Sequence, residues 1–233
     1  MLNKGDFHIH SNASDGKYSP TEIVILSKIN KIDVISITDH NTTAGIEEAI
    51  EAGRNYGVSV VPAIELSTRF NNESIHLLGY FKNSLYQIDT FQEVLMLIKS
   101  HRYKTIRKIL GNYINLERKD GKLSVIEGIN LLRCFGASVV LAHPMRISSK
   151  NINQILRFPF DGIEAKYSYT DFNTSLYFIN IALTKFSFYT AGSDFHSIKN
   201  KNSKHSFIGS VYLNNSEIEF FLKNSGYVAL NYL

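Results

Sequence analysis

The stretch Asp6-Phe7-His8-Ile9-His10-Ser11 alternates apolar and polar side chains and therefore reads as a two-faced strand. Phe7 and Ile9 point to one face for packing, while His8 and His10 point to the other. Two residue rises place their Cα atoms roughly 6.6 Å apart, close enough for both imidazoles to reach one ion. A single His-x-His pair is weak evidence, but Asp194 and His196 repeat the spacing directly after Ala191-Gly192-Ser193. Of the eight histidines, His8, His10, His40, His76, His143 and His196 lie in or at the end of short β-branched runs. Histidines placed only for solvation would not track such runs.

Similar runs recur outward from this stretch. Asp6–His10, Asp33–Thr38, Val58–Leu66, Ile75–Phe81, Ser138–Ala142, Gly162–Lys166 and Phe188–Gly192 read as seven strands separated by helical segments. That alternation predicts an α/β fold built on a mainly parallel sheet. Ser19-Pro20-Thr21-Glu22 forms a capping box that opens the first helix. A second helix is expected over Thr43–Tyr56, ending at Gly57. Apolar residues from Leu95 to Tyr113 recur at helical spacing, so residues 85–123 form a helical insertion, with a turn at Lys119–Lys122. A helix over Ser124–Phe135 follows. After a Lys/Asn-rich loop, the tail at 207–233 holds a strand over Phe207–Leu213 and a helix over Ser216–Lys223. The chain reads as a single domain, residues 1–233.

The composition fits this picture. The 233 residues are 44% hydrophobic with sparse Gly and Pro, enough apolar surface for a sizeable core. No run approaches the roughly 18 apolar residues of a membrane span, and with a strand already beginning at Asp6 no signal peptide is expected before the fold. A cytoplasmic protein is expected. The single cysteine, Cys134, supplies neither a disulfide nor a thiolate cluster and is expected to be a small core residue. A formal charge of +4 permits an anionic partner without requiring one.

The chemistry-bearing residues gather at strand ends. His40 follows Ile35–Asp39, Glu65 follows Val60–Ile64, and His143 follows Val139–Ala142 and precedes Pro144. In parallel α/β folds this is the face where loops converge on a site. His76 sits earlier in its strand, where a buried histidine bonded to a carbonyl would be the plain alternative. The segments Asp6–Ser11, Asp15-Gly16, Thr38–Thr42, Glu65–Ser67, Ile75–Gly79, Ala142–Pro144 and Gly192–His196 together resemble the PHP (polymerase and histidinol phosphatase) superfamily of metal-dependent phosphoesterases, in the family's order.

That resemblance implies a distorted (β/α)7 barrel with up to three divalent ions at the C-terminal face of its strands. One ion would be held by His8, His10, Glu65 and Asp194, a second by Asp15, His40 and His196, and a third by Glu65, His76 and His143, with Glu65 bridging. The N/O donor set without thiolate suits Mn²⁺, Zn²⁺ or Fe²⁺. Such ions would activate a water and neutralise phosphoryl charge, so no serine or cysteine nucleophile is required. Asp39 is either an orienting partner beyond the ligands or a helix-start carboxylate. Arg146, three residues past His143, is the best phosphate contact, followed by Arg102, Arg107 and Lys199; a solvated face is the plainer reading of the helix cluster.

Within the superfamily the sequence resembles the branch of 3′,5′-bisphosphonucleotide phosphatases and 5′-3′ exoribonucleases, although the long helical insertion of those enzymes is shortened here. The implied function is hydrolysis of phosphate esters of nucleotides or short single-stranded nucleic acids. The alternatives are a phosphomonoesterase for a small metabolite such as histidinol phosphate, a protein phosphotyrosine phosphatase, or a non-enzymatic metal-binding partner module. No obligate protein partner and no membrane partner is expected.

Overall fold

The computed structural model describes residues 2–111, 121–168, 170–198 and 206–227. The strands are β1 (Lys4–Ile9), β2 (Val34–Ile37), β3 (Ser59–Val60), β4 (Ala63–Phe70), β5 (Glu73–Phe81), β6 (Ala137–Leu141), β7 (Gly162–Tyr167), β8 (Phe188–Gly192) and β9 (Leu213–Asn214). The helices are α1 (Pro20–Ile29), α2 (Ile46–Tyr56), α3 (Asp89–Lys99), α4 (Tyr103–Leu110), α5 (Val125–Cys134), α6 (Ser149–Ile155), α7 (Phe172–Lys185) and α8 (Asn215–Asn224).

The strands form a four-stranded sheet, β3-β2-β1-β9, and a five-stranded sheet, β4-β5-β6-β7-β8. The α/β class is as expected, but among the described residues the ladders do not close into one (β/α)7 barrel. Single bridges, Ile9 to Phe195 and His40 to Glu65, join the two sheets. The sheet is also more mixed than the sequence suggested, because β5 runs antiparallel to both β4 and β6. The cause is local. Asn71 and Asn72 at φ 45° and 64° form a tight reversal with two left-handed residues, so β4 returns as a hairpin instead of crossing over through a helix. The expected strand over Val58–Leu66 is split into β3 and β4 around Pro62, which has no N–H to give to a ladder.

Helix boundaries follow their caps. Ser19 and Glu22 close a reciprocal capping box at α1, Ser124 and Glu127 do the same at α5, and α2 ends at Gly57 in the left-handed conformation. Among its described residues the insertion holds a helical pair, broken near His101 at φ 58°, and its residues 112–120 lie outside the described ones. Phe91, Val94, Leu95, Ile98, Ile106 and Leu110 from this pair pack with Leu66, Ile75 and Leu77 of the hairpin. Each large apolar side chain buried this way stabilises the fold by roughly 1.5–3 kcal/mol. Elsewhere Phe221 of α8 packs against Phe7, Tyr80 and Phe188, with ring centroids 4.8, 5.1 and 5.3 Å apart, tying both sheets to the C-terminal helix.

Two expectations in this part of the sequence are corrected. Cys134, at the end of α5, is exposed and not a core residue. The strand over Phe207–Leu213 shrinks to Leu213–Asn214, because the chain turns at Gly209 (φ 77°), whose N–H donates to the buried Asp6 Oδ2 at 2.8 Å. The Lys119-Asp120 half of the turn before α5 lies outside the described residues.

Candidate metal centre

Backbone contacts at the seams bring the strand ends together. His10 N–H donates to Phe195 O and Asp194 N–H donates to His8 O, both at 2.8 Å, which sets Asp194 and His196 beside His8 and His10. At the other seam Asn41 N–H donates to Glu65 O at 2.8 Å, and Ser67 N–H donates to Asn41 Oδ1 at 2.9 Å, so His40 meets Glu65. Asn41, His143 and Asp194 all have positive φ, at 52°, 29° and 52°. Left-handed backbone at non-glycine residues costs roughly 1–2 kcal/mol each. The surrounding packing holds all three at the ends of the strands that carry the site.

Glu65, buried in β4, is the hub. Its carboxylate oxygens lie 3.3, 3.1, 3.2, 2.9 and 3.1 Å from ring nitrogens of His8, His10, His40, His76 and His143. The antiparallel register of β5 explains how His76 joins them: Glu65 pairs with Leu78 and Ser67 with His76, so His76 stands two residues along from Glu65 on the same face of the hairpin. Asp194 Oδ1 stands 3.5 Å from His8 Nε2 and 3.2 Å from His10 Nε2. Asp15 Oδ1 stands 3.5 Å from His10 Nδ1 and 3.3 Å from His196 Nε2, and Asp15 Oδ2 lies 3.7 Å from His40 Nε2. All nine residues singled out from the sequence therefore meet in one place.

Among the described residues, three groups of donor atoms lie within 4.8 Å of one another: His8, His10, Glu65 and Asp194; His10, Asp15, His40 and His196; and His40, Glu65 and His76. His143 reaches the third group through Glu65 Oε1 at 3.1 Å. The donors fit divalent cations. His8 Nε2 and His10 Nε2 face each other at 3.1 Å with carboxylate oxygens around both, so the atoms surround a point more than they pair off. Ligands about 2.0–2.2 Å from a shared cation stand about 3.0–3.5 Å apart. Among the described residues, buried His10 Nδ1 and His40 Nδ1 find no hydrogen-bond partner.

Electrostatics point the same way. Burial would raise Glu65, yet His8 and His76, with hydrogen bonds from His10 and His143, hold its carboxyl well below the usual range. The His196 hydrogen bond does the same for Asp15. Burial opposes protonation of His10, but Asp194 and Glu65 raise it to about 9. Burial, aided by His10 and His76, pulls His40 down to about 4 against the attraction of Glu65. The cluster is thus a concentrated anionic site that needs positive charge, which protons or cations can supply.

Asp39 turns its carboxylate to the loop at Ser11–Ser14. It accepts from Ser11 N at 2.7 Å, Ser11 Oγ at 2.6 Å and Ser14 Oγ at 2.5 Å, and so shapes the loop that delivers Asp15. Arg146 Nη1 donates to Tyr167 OH at 3.1 Å and to Asp194 Oδ2 at 3.4 Å, with a side chain 55% exposed. Arg107 is engaged elsewhere, in a two-pronged pair with buried Glu127 at 2.7 and 3.0 Å. Arg102 is exposed at the start of α4. Lys199 lies outside the described residues.

Sequence reasoning missed three residues. Glu164, fully buried in β7, contacts His8 and His143. Tyr167 OH donates to Asp194 Oδ2 at 2.7 Å, and burial with Asp194 beside it pushes its phenol up, so it stays a donor. Asp6 accepts from the N–H groups of Ser193, Gly209 and His8, and burial raises it to about 6. A carboxylate inside an apolar run, as in Gly162-Ile163-Glu164-Ala165, was the available signal for Glu164.

The sequence profile described as PHP domain matches residues 6–131, more than half of the chain. The chain belongs to the PHP domain family. The chain is 40% identical over 79 residues to a 5′-3′ exoribonuclease of Haemophilus influenzae, covering 34% of this chain and 29% of that protein. It is 31% identical over 74 residues to a 3′,5′-nucleoside bisphosphate phosphatase of Chromobacterium violaceum, covering 32% of this chain and 26% of that protein. The matched stretches are thus under a third of those relatives' lengths. Among solved structures, a presumed metal-dependent phosphoesterase from Bifidobacterium adolescentis superposes with a TM-score of 0.70 at 19% identity, covering 97% of both chains, which extends the fold likeness across this PHP domain.

Proposed function

We propose that this PHP domain is a divalent-metal-dependent phosphoesterase acting on phosphate esters of nucleotides or short nucleic acids. The observation that carries the reading is Glu65, a buried carboxylate ringed by five imidazoles, with Asp15 and Asp194 completing the N/O set. In this reading His8, His10, Glu65 and Asp194 hold one ion, Asp15, His40 and His196 a second, and Glu65, His76 and His143 a third. Bound Mn²⁺, Zn²⁺ or Fe²⁺ would supply Lewis acidity toward phosphoryl oxygens and a lowered pKa for water. The two sheets, linked at their seams by single bridges, represent a (β/α)7 barrel distorted by the β4–β5 hairpin.

The chain's own residues then have distinct tasks. Arg146 stands at the rim of the site with its guanidinium beside Asp194, placed to grip a phosphate through paired N–H donors. Tyr167 holds Asp194 Oδ2 and leaves Oδ1 facing His8 and His10. Asp39 fixes the Ser11–Ser14 loop so that Asp15 faces His196. The nucleotide preference rests on the two relatives; the engagement of Arg107 with Glu127 favours a short substrate over a long polymer.

The test is incubation of Mn²⁺-loaded protein with a short RNA bearing a labelled 5′-phosphate, alongside a 3′,5′-bisphosphonucleotide. Release of labelled mononucleotide is expected for a 5′-3′ nuclease. Inorganic phosphate alone would make it a monoesterase, and no turnover of either substrate would overturn the nucleotide reading.

A further inference from the structure

Glu164 sits in β7 between Ile163 and Ala165 with no solvent exposure. A carboxylate in such a place is costly unless its oxygens are occupied. Both are. Oε1 accepts from His8 Nδ1 at 2.9 Å, and Oε2 accepts from the His143 backbone N–H at 2.8 Å. His8 belongs to the four-stranded sheet, whereas His143 follows β6 of the five-stranded sheet, so one carboxylate spans the two. Gly192 of β8 makes the contact feasible. A Cβ at that position would stand 2.2 Å from His8 Cβ and 2.5 Å from Glu164 Oε1, and one of them would have to move away.

We propose that Glu164 is a positioning residue for the metal centre, holding His8 in the tautomer that presents the Nε2 lone pair to Glu65 and Asp194 and fixing the end of β6 so that His143 faces Glu65. The proposal rests on the metal-site reading above. A neutral imidazole has one N–H; if Glu164 takes it at Nδ1, Nε2 is left as the donor atom toward a cation. His8 and His143 belong to different ligand groups, so losing Glu164 should weaken two ions. Glutamine at 164 keeps the shape but cannot serve both contacts. Its oxygen can accept from one partner, and its NH₂ then meets the other. Facing His8, the NH₂ forces the proton onto Nε2; facing His143 N–H, it sets donor against donor.

The test compares wild type, Glu164→Gln and Glu164→Asp, stripped with chelator and dialysed against buffered series of free Zn²⁺, with bound metal read by elemental analysis. Glu164→Gln is expected to need roughly 10–100-fold more free Zn²⁺ for half-saturation, with an unchanged circular dichroism spectrum. Glu164→Asp, which keeps the charge on a shorter arm, should fall between. A Glu164→Gln isotherm coinciding with wild type overturns the proposal. Should that variant not fold, ¹⁵N-histidine spectra of Zn²⁺-loaded wild type decide, with Nδ1–H at His8 expected and Nε2–H overturning it. Wild type that binds no Zn²⁺ would instead overturn the metal-site reading itself.

Discussion

Replacing Glu65 with glutamine removes one charge from the centre of the site with little change in volume, and its effect on the metal-free protein can be worked from the geometry. His10 is fully buried and raised from 6.5 to about 9, with Asp194 and Glu65 as the stabilising partners. A folded-state pKa above the unfolded one contributes stability that is complete below 6.5 and is lost as pH rises through about 9. The interval corresponds to about 3 kcal/mol at about 1.4 kcal/mol per pH unit. Asp194 shares the interaction, so Glu65→Gln should lose about half of it, roughly 1–2 kcal/mol at pH 6. At pH 10 the part of this difference that rests on His10's charge is gone, so the destabilisation should be smaller than at pH 6. For a domain of this size the pH 6 loss corresponds to a melting temperature roughly 3–6 °C lower. Urea unfolding of chelator-treated wild type and variant at the two pH values measures it. An equal destabilisation at pH 6 and pH 10 would refute the assignment of His10's charge to Glu65.

Three further outcomes follow from particular contacts. Arg146→Ala is expected to raise KM by roughly 10- to 100-fold, the loss of a charge-assisted phosphate contact, while bound metal, measured by elemental analysis, stays the same. Arg107→Ala leaves Glu127, 1% exposed, without its charged partner and should cost about 3 kcal/mol in urea unfolding with kcat/KM unchanged; a fall in kcat/KM without a stability change would restore it as a substrate contact. Asp39→Ala removes the acceptor for Ser11 and Ser14 and should release the ion expected at Asp15, His40 and His196 before the other two, a stepwise loss that chelator titration would reveal.

Much of the fold was readable locally. The capping box at Ser19, the left-handed cap at Gly57 and the strand at Phe188–Gly192 depend on neighbours a few residues away, and the structure places them as the sequence indicated. The turn at Gly209 did not declare itself because its reason, the buried Asp6 carboxylate, lies at the other end of the chain. Cys134 failed as a core residue because it falls on the outward face at the end of α5, a matter of helix phase that a lone small residue does not reveal.

For the site, the sequence by itself determined the donor types, their positions at strand ends and their two-residue spacings, since alternation along a strand is a property of the backbone. Apart from the family resemblance, which donors share a group was decided by tertiary structure, and so was what stands behind them. His8 and Glu164 are 156 residues apart, Glu65 and His143 are 78 apart, and Arg107 turns to Glu127 because helix packing presents a buried carboxylate there. Such pairings arise when the seams between sheets close, and local periodicity carries no record of how distant strands align across a seam.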